Sequence, residues 1–149
     1  MQESTLIKQH QFCTFFLEEL FFGIEVEKVQ EIIRYQQITR VPLPPPEVGG
    51  LINLRSQIVT AIDLRRRLDL PEYSGESLPL NVVVKIEEEI ISLLVDEVGD
   101  VLDVSDDRFE SPPDTLTGKI RQLIRGAYKL ENCLLLILDV EKTVDLTAF

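Results

Sequence analysis

Tryptophan is missing from this chain, histidine and methionine occur once each, and cysteine occurs twice. Each scarcity closes a class of function. His10 stands alone in a polar N-terminal stretch, with no metal ligands clustered near it, so a zinc-type site is not expected. It reads as a surface histidine near a terminus. Cys13 and Cys133 are too few for a disulfide framework, and neither has a histidine partner in a recognisable motif, which argues against thiol catalysis. Both are read as buried thiols of a protein in a reducing compartment. No apolar run reaches the roughly 18 residues of a membrane helix. Gln2-Glu3-Ser4-Thr5 gives the N-terminus no signal-peptide core. The expectation is a cytoplasmic, soluble protein with no direct membrane insertion.

Groups that carry catalysis are as thin. Gly49-Gly50 is followed by a strand pattern and not by a helix N-terminus, so no phosphate loop is present. Asp106-Asp107 sits in a stretch that reads as a hydrated loop, where nothing raises a carboxyl pKa toward general-acid work. Asp96-Glu97 reads as a strand-end cap. No cofactor and no catalytic residue is expected, and the chain does not read as an enzyme.

Positive charge is also in short supply, with 15 Lys and Arg against 26 Asp and Glu and a formal net charge of −11. Nucleic acid is excluded as a partner, because binding phosphate needs clustered Lys and Arg. An OB-like barrel for single-stranded nucleic acid, the alternative from a different functional class, would need a basic groove with exposed aromatics. The charges are unevenly spread. Arg34, Arg40, Arg55, Arg65, Arg66 and Arg67 lie in one stretch, and Glu87 through Asp96, Asp100, Asp103, Asp106 and Asp107 to Glu110 is almost purely acidic. Two solvated faces, or two surfaces steering separate partners by complementary charge, both fit this pattern.

What is present is period-two patterning. At 149 residues the chain suffices for one compact domain or two very small ones. A chain of this size buries roughly 68–70% of its unfolded surface. Phe12 to Leu17 and Leu20 to Val26 read as strands about a Glu18-Glu19 turn. Val26, Val29 and Ile33 recur at helical spacing and predict a short helix near Glu27 to Glu31, with strand returning at Ile32 to Tyr35. The prolines of Val41 to Gly50 make a rigid connector. Gly50 to Leu64 is a hairpin with a tight polar turn beside Arg55, and Asp63 is placed to cap the run Leu64 to Leu68. A linker follows over Asp69 to Leu80. Asn81 to Ile86 and Ile90 to Val95 are strands about Glu87-Glu88-Glu89, and Val98 to Val104 stays extended. Ser105 to Lys119 reads as a surface loop. Leu123 to Leu130 and Leu134 to Leu138 make a hairpin about Glu131-Asn132, and Asp139 caps a closing helix to about Leu146. About ten short strands with few helices predict an all-β fold of small barrels. No exact repeat is present, yet the halves share one grammar of hairpin, short helix and hairpin.

The spacing Ile52-Asn53-Leu54-Arg55, then Ile62-Asp63-Leu64-Arg65 ten residues on, resembles the signature of CheW-like chemotaxis adaptors. The resemblance covers nearly the whole chain. Phe15-Phe16-Leu17, Phe22-Gly23-Ile24 and Val29-Gln30-Glu31-Ile32 look like the family's opening strands and first helix. Val41-Pro42 and Val48 to Gly50 look like its approach to the signature hairpin, Leu94-Val95-Asp96-Glu97-Val98 like its central element, and Leu135 to Asp139 like its last strand and helix start. Ser56 stands where the family usually has Gly, and Thr60-Ala61 where it has Pro-Val. Serine at that position implies either a different turn or a tolerated strain.

The resemblance implies an all-β fold of two small five-stranded barrels, packed side by side with exchanged strands and a few short helices including a C-terminal one. It implies one domain over residues 1–149, without a clean boundary between the barrels. The function it implies is that of a non-enzymatic adaptor coupling a chemoreceptor to a CheA-type histidine kinase, recruited to receptor arrays at the inner face of the membrane. An adaptor of a non-flagellar array, or a freestanding kinase regulatory domain, fits the same residues. The receptor tip would be met by Val29, Glu31, Ile33, Arg55, Ser56 and Val82. For the three aliphatic residues, plain core is the competing reading. The kinase's regulatory domain would be met by the loop carrying Arg108, Phe109 and Glu110, with Phe109 as aromatic anchor.

Overall fold

Alternating burial sorts the chain into strands joined by tight turns, and the computed structural model describes residues 9–40, 45–71 and 78–146. The proline-rich start of the connector (41–44, with Val41-Pro42), the middle of the linker (72–77) and the polar N-terminal residues lie outside the described residues. Among the described residues the opening strands are β1 (Gln9–Leu17) and β2 (Leu20–Glu25), then β3 (Val29–Ile33). The signature hairpin is β4 (Val48–Leu54) and β5 (Gln57–Asp63), leading into α1 (Leu64–Arg67). The second half brings β6 (Leu80–Ile86), β7 (Glu89–Val95), β8 (Glu97–Ser105) and the two-residue β9 (Phe109–Glu110). It closes with α2 (Gly118–Leu123), β10 (Ile124–Lys129), β11 (Leu134–Leu138) and α3 (Val140–Val144).

These strands form a first sheet in the order β8-β1-β2-β11-β10-β9 and a second in the order β3-β6-β7-β5-β4. The halves exchange hairpins. β1 and β2 lie in the first sheet while β4 and β5 lie in the second; β6 and β7 lie in the second while β10 and β11 lie in the first. Each closing hairpin joins the other half's opening hairpin through a parallel pair, β11 with β2 and β5 with β7. Each then enters a capped helix. Asp63 accepts from the Arg66 backbone N–H at 3.4 Å, and Asp139 accepts from that of Lys142 at 3.0 Å.

The pleat divides the core into three parts. Phe15, Phe22 and Ile24 of the first sheet meet Val82, Val84, Leu93 and Val95 of the second in the largest cluster. Ile52, Leu54, Val59, Ala61, Val83 and Leu94 form a cluster belonging to the second sheet alone. Phe12, Val104, Tyr128, Leu135 and Ile137 form its counterpart in the first. Each sheet therefore has an apolar interior of its own besides the shared layer. β3 and β4 are the outermost strands of the second sheet, yet Thr39, just after β3, exchanges two backbone hydrogen bonds of 2.8 Å with Leu51 of β4. That bridge draws the edges together.

Several sequence expectations are corrected. The helix expected near Glu27 to Glu31 is a 3-10 turn over Val26–Lys28 followed by β3. The β-branched Val29, Ile32 and Ile33 favour strand, and a bulge between Val29 and Glu31 imitates the helical spacing. The Ser105 to Lys119 loop contains β9, which the exposed edge of β10 recruits through Ala127↔Glu110 and Tyr128↔Phe109. α2 begins where loop was expected, because Leu116, Ile120 and Leu123 pack against the shared core at helical spacing. Cys13 is buried as expected, but Cys133 is exposed in the last hairpin turn. His10 lies within β1, with its Nε2 3.2 Å from Asp106 Oδ1.

Candidate functional site

The turn of the signature hairpin holds two residues, Arg55 at φ 51 and Ser56 at φ 71, closed by the pair Leu54↔Gln57. Positive φ at both central positions suits the right-handed twist of a hairpin and favours Asn-Gly. For residues with a Cβ this conformation costs about 1–2 kcal/mol each. Ser56 thus tolerates the strain that a glycine would avoid. The Asn53 side chain holds the turn by accepting from the Ser56 backbone N–H at 2.9 Å.

The strained turn presents Arg55, whose side chain is 72% exposed, to Glu31, which is 18% exposed. The guanidinium donates to both carboxylate oxygens of Glu31, at 2.5 and 2.7 Å. Such a fork fixes orientation as well as charge. The pair links β3 to the β4–β5 tip, so it spans the same closing seam as the Thr39–Leu51 bridge. The hydrogen bond from Arg55 holds the Glu31 carboxyl below its usual value of 4.5, ahead of desolvation, which acts the other way. Glu31 is the group with the depressed pKa, so whatever it contributes is fully present above about 4.5 and is lost as pH falls through its lower folded value. Following the Glu31 side-chain carbon by NMR should show a midpoint below 4.5 that Arg55→Ala returns to the ordinary range. An unchanged midpoint would show that the pair does not persist in solution.

The aliphatic residues expected beside this pair do not form one surface. Val82 is 1% exposed in the shared core and offers nothing to a partner, so its place in a docking surface is corrected to plain core. Val29 is partly buried against that same core, whereas Ile33 packs against the interior of the second sheet. The bulge between Val29 and Glu31 turns these two to different sides of β3. Sequence reasoning missed Ile58, which is 63% exposed three residues beyond Arg55, and Ile32, which is 39% exposed. Pairing of β5 with β7 begins at Thr60, so Ile58, paired with Asn53 of β4, extends past β7, and Ile32 sits on an outermost strand. The short turn was the available signal, since a residue next to it lies beyond the neighbouring strand.

Arg108 ends a 3-10 turn over Asp106–Arg108, and Phe109 and Glu110 form β9 at the edge of the other sheet. All three are exposed, with Phe109 at 43%. The Phe109 ring stands edge-on to Tyr128, with centroids 5.2 Å apart. It lies across Gly126, where a Cβ would fall 2.3 Å from Phe109 Cζ.

The arginine-rich stretch is only partly a charged face. Arg65 and Arg67 are 6% and 1% exposed. Arg67 donates to the carbonyls of Thr143, Lys142 and Asp145 at 2.7, 2.8 and 3.1 Å, which satisfies the end of α3. Arg65 pairs with Asp96 and with Glu18. Among the described residues no group of His, Cys, Asp or Glu is placed to hold a metal ion. No helix of the described residues is long and apolar enough to cross a membrane.

A model of the CheW-like domain matches residues 11–148. The chemotaxis protein CheW of Treponema pallidum is 33% identical over 139 residues, covering 91% of this chain and 82% of the relative. That of Bacillus subtilis is 35% identical over 124 residues, covering 83% and 80%. The crystal structure of the scaffolding protein TtCheW from Thermoanaerobacter tengcongensis aligns with a TM-score of 0.79 at 26% identity, over 88% of this chain and 89% of that one. A domain match along nearly the whole length, relatives above 30% identity and a scaffold protein of the same architecture lead to one conclusion: the chain belongs to the CheW-like family, whose members are chemotaxis scaffold proteins and not enzymes.

Proposed function

We propose that this protein couples a chemoreceptor of the methyl-accepting type to a CheA-type histidine kinase, acting as one unit at the cytoplasmic face of the membrane. The observation that carries the reading is the strained two-residue turn, which holds an exposed arginine in a fixed fork on Glu31. A surface arginine held this way is pre-organised for a partner rather than for the core. Arg55, Glu31 and Ser56 would fix the register of a receptor helix. Ile58 adds aliphatic surface beside them. The kinase's regulatory domain would meet Arg108, Phe109 and Glu110, at and just before the edge strand β9 of the other sheet, so both partners can be held at once.

Arg55→Glu sets a second carboxylate against Glu31 and reverses the charge shown to the receptor. Affinity for a receptor signalling-tip fragment is expected to fall by roughly tenfold or more, with melting temperature and kinase binding unchanged. Undiminished receptor binding by this variant would remove the turn from the interface.

A further inference from the structure

One exposed side chain away from the turn gathers three main-chain acceptors. Arg121 of α2 aims its Nη1 at the loop that runs from β9 to α2. It donates to the carbonyls of Pro112, Pro113 and Leu116 at 3.3, 2.6 and 3.4 Å. Pro112 and Pro113 carry no N–H, which leaves the loop few donors of its own. Within it, the Leu116 N–H donates to the Pro113 carbonyl at 3.1 Å. A guanidinium is suited to such a ring of oxygens, since it is always charged and can only donate.

The two ends of this loop differ in firmness. At the far end Leu116, Ile120 and Leu123 pack against the shared core, so α2 is a fixed base for Arg121. At the near end β9 has two residues and a single neighbour, β10, which it meets through Ala127↔Glu110 and Tyr128↔Phe109. Phe109 adds one edge-on contact to Tyr128. So short an edge strand has little hold of its own, because few hydrogen bonds offset the freedom it gives up. Pro112 stands two residues after Glu110, and fixing its carbonyl limits where β9 can go.

We infer that Arg121 is a positioning residue for the kinase contact: by holding the 112–116 loop it keeps β9 on β10 and Phe109 in place for the kinase's regulatory domain. The inference rests on the coupling role proposed above. Arg121 acts through the loop and through Phe109, and it removes in advance freedom that the edge would otherwise lose on binding.

Arg121→Met and Arg121→Lys, each in the full chain, test this against wild type. In the Met variant the NOE between the Phe109 and Tyr128 rings should weaken, and the Leu116 amide should exchange about tenfold faster. Affinity for the intact kinase should fall about fivefold, with receptor-fragment affinity and melting temperature unchanged. Arg121→Lys, whose ammonium has three donors for the same carbonyls, should stay within about twofold of wild type in all of these. A Met variant with unmoved NOE and exchange overturns the hold, as does a Lys variant as weak as the Met variant. A loosened loop with undiminished kinase affinity overturns the link to the kinase and leaves the coupling role standing. Wild type that binds no kinase overturns the coupling role itself, and the positioning role with it.

Discussion

Asp96→Ala is expected to destabilise the protein by about 3 kcal/mol, through the loss of one partner of a mostly buried ion pair. The Arg65 side chain is 8% exposed and that of Asp96 15%. Arg65 Nε donates to Asp96 Oδ1 at 3.0 Å, and Nη1 donates to the Pro71 carbonyl at 2.8 Å. Asp96 also accepts from the Glu18 backbone N–H at 2.8 Å, so its removal opens the β1–β2 turn as well. Glu18, 3.3 Å from Arg65, is 43% exposed and compensates only in part. The urea midpoint should fall while the slope stays constant. Replacing both members together, Arg65→Met with Asp96→Leu, should recover most of the loss, because no charge is then left unpaired. A loss below about 1 kcal/mol for the single variant would show that Glu18 and water replace Asp96 in full.

Gly50→Ala is expected to cost about 2–3 kcal/mol, for reasons of backbone shape. Gly50 has φ +146, a conformation that residues with a Cβ rarely adopt. An added Cβ would fall 2.5 Å from Ile38 Cγ2 and 2.5 Å from the Thr39 carbonyl oxygen. Neither backbone can retreat without giving up the Thr39–Leu51 bridge that closes the second sheet. The Glu31 midpoint should therefore rise toward its ordinary value in this variant along with the drop in melting temperature, since Arg55 and Glu31 span the same seam. A stable variant with an unmoved Glu31 midpoint would show that the seam does not depend on the bridge.

Local chemistry made much of this architecture readable. Acidic hairpin turns at Glu18 and Glu87, helix caps at Asp63 and Asp139, and unbroken β-branched runs such as Val82-Val83-Val84 each name their own structure. That Glu31 and Arg55 come to one place on the surface was legible through the family resemblance. What composition and spacing did not disclose depended on distant partners. β9 exists because β10 offers an edge, and β3 is strand because β6 pairs with it across a bulge. Val82 and Val83 are adjacent and equally apolar, and only the sheet on either side decides which core each enters. Arg65, Arg66 and Arg67 read as one charged run, yet a helical turn sends the first and third inward.

The hairpin exchange also governs the order in which this chain can fold. β3 to β7 are consecutive, so the second sheet can pair while the polypeptide is still being made. The first sheet cannot. β1 and β2 emerge early but wait for β8 and β11, which are synthesised long after. Until then Phe12, buried in the finished protein, lacks the covering residues Val104, Tyr128, Leu135 and Ile137. Long-range pairing of this kind slows folding and leaves strand edges open to association in the interval. The interval ends only when β11 slots in beside β2, which makes the last hairpin the clasp of the whole molecule during biosynthesis.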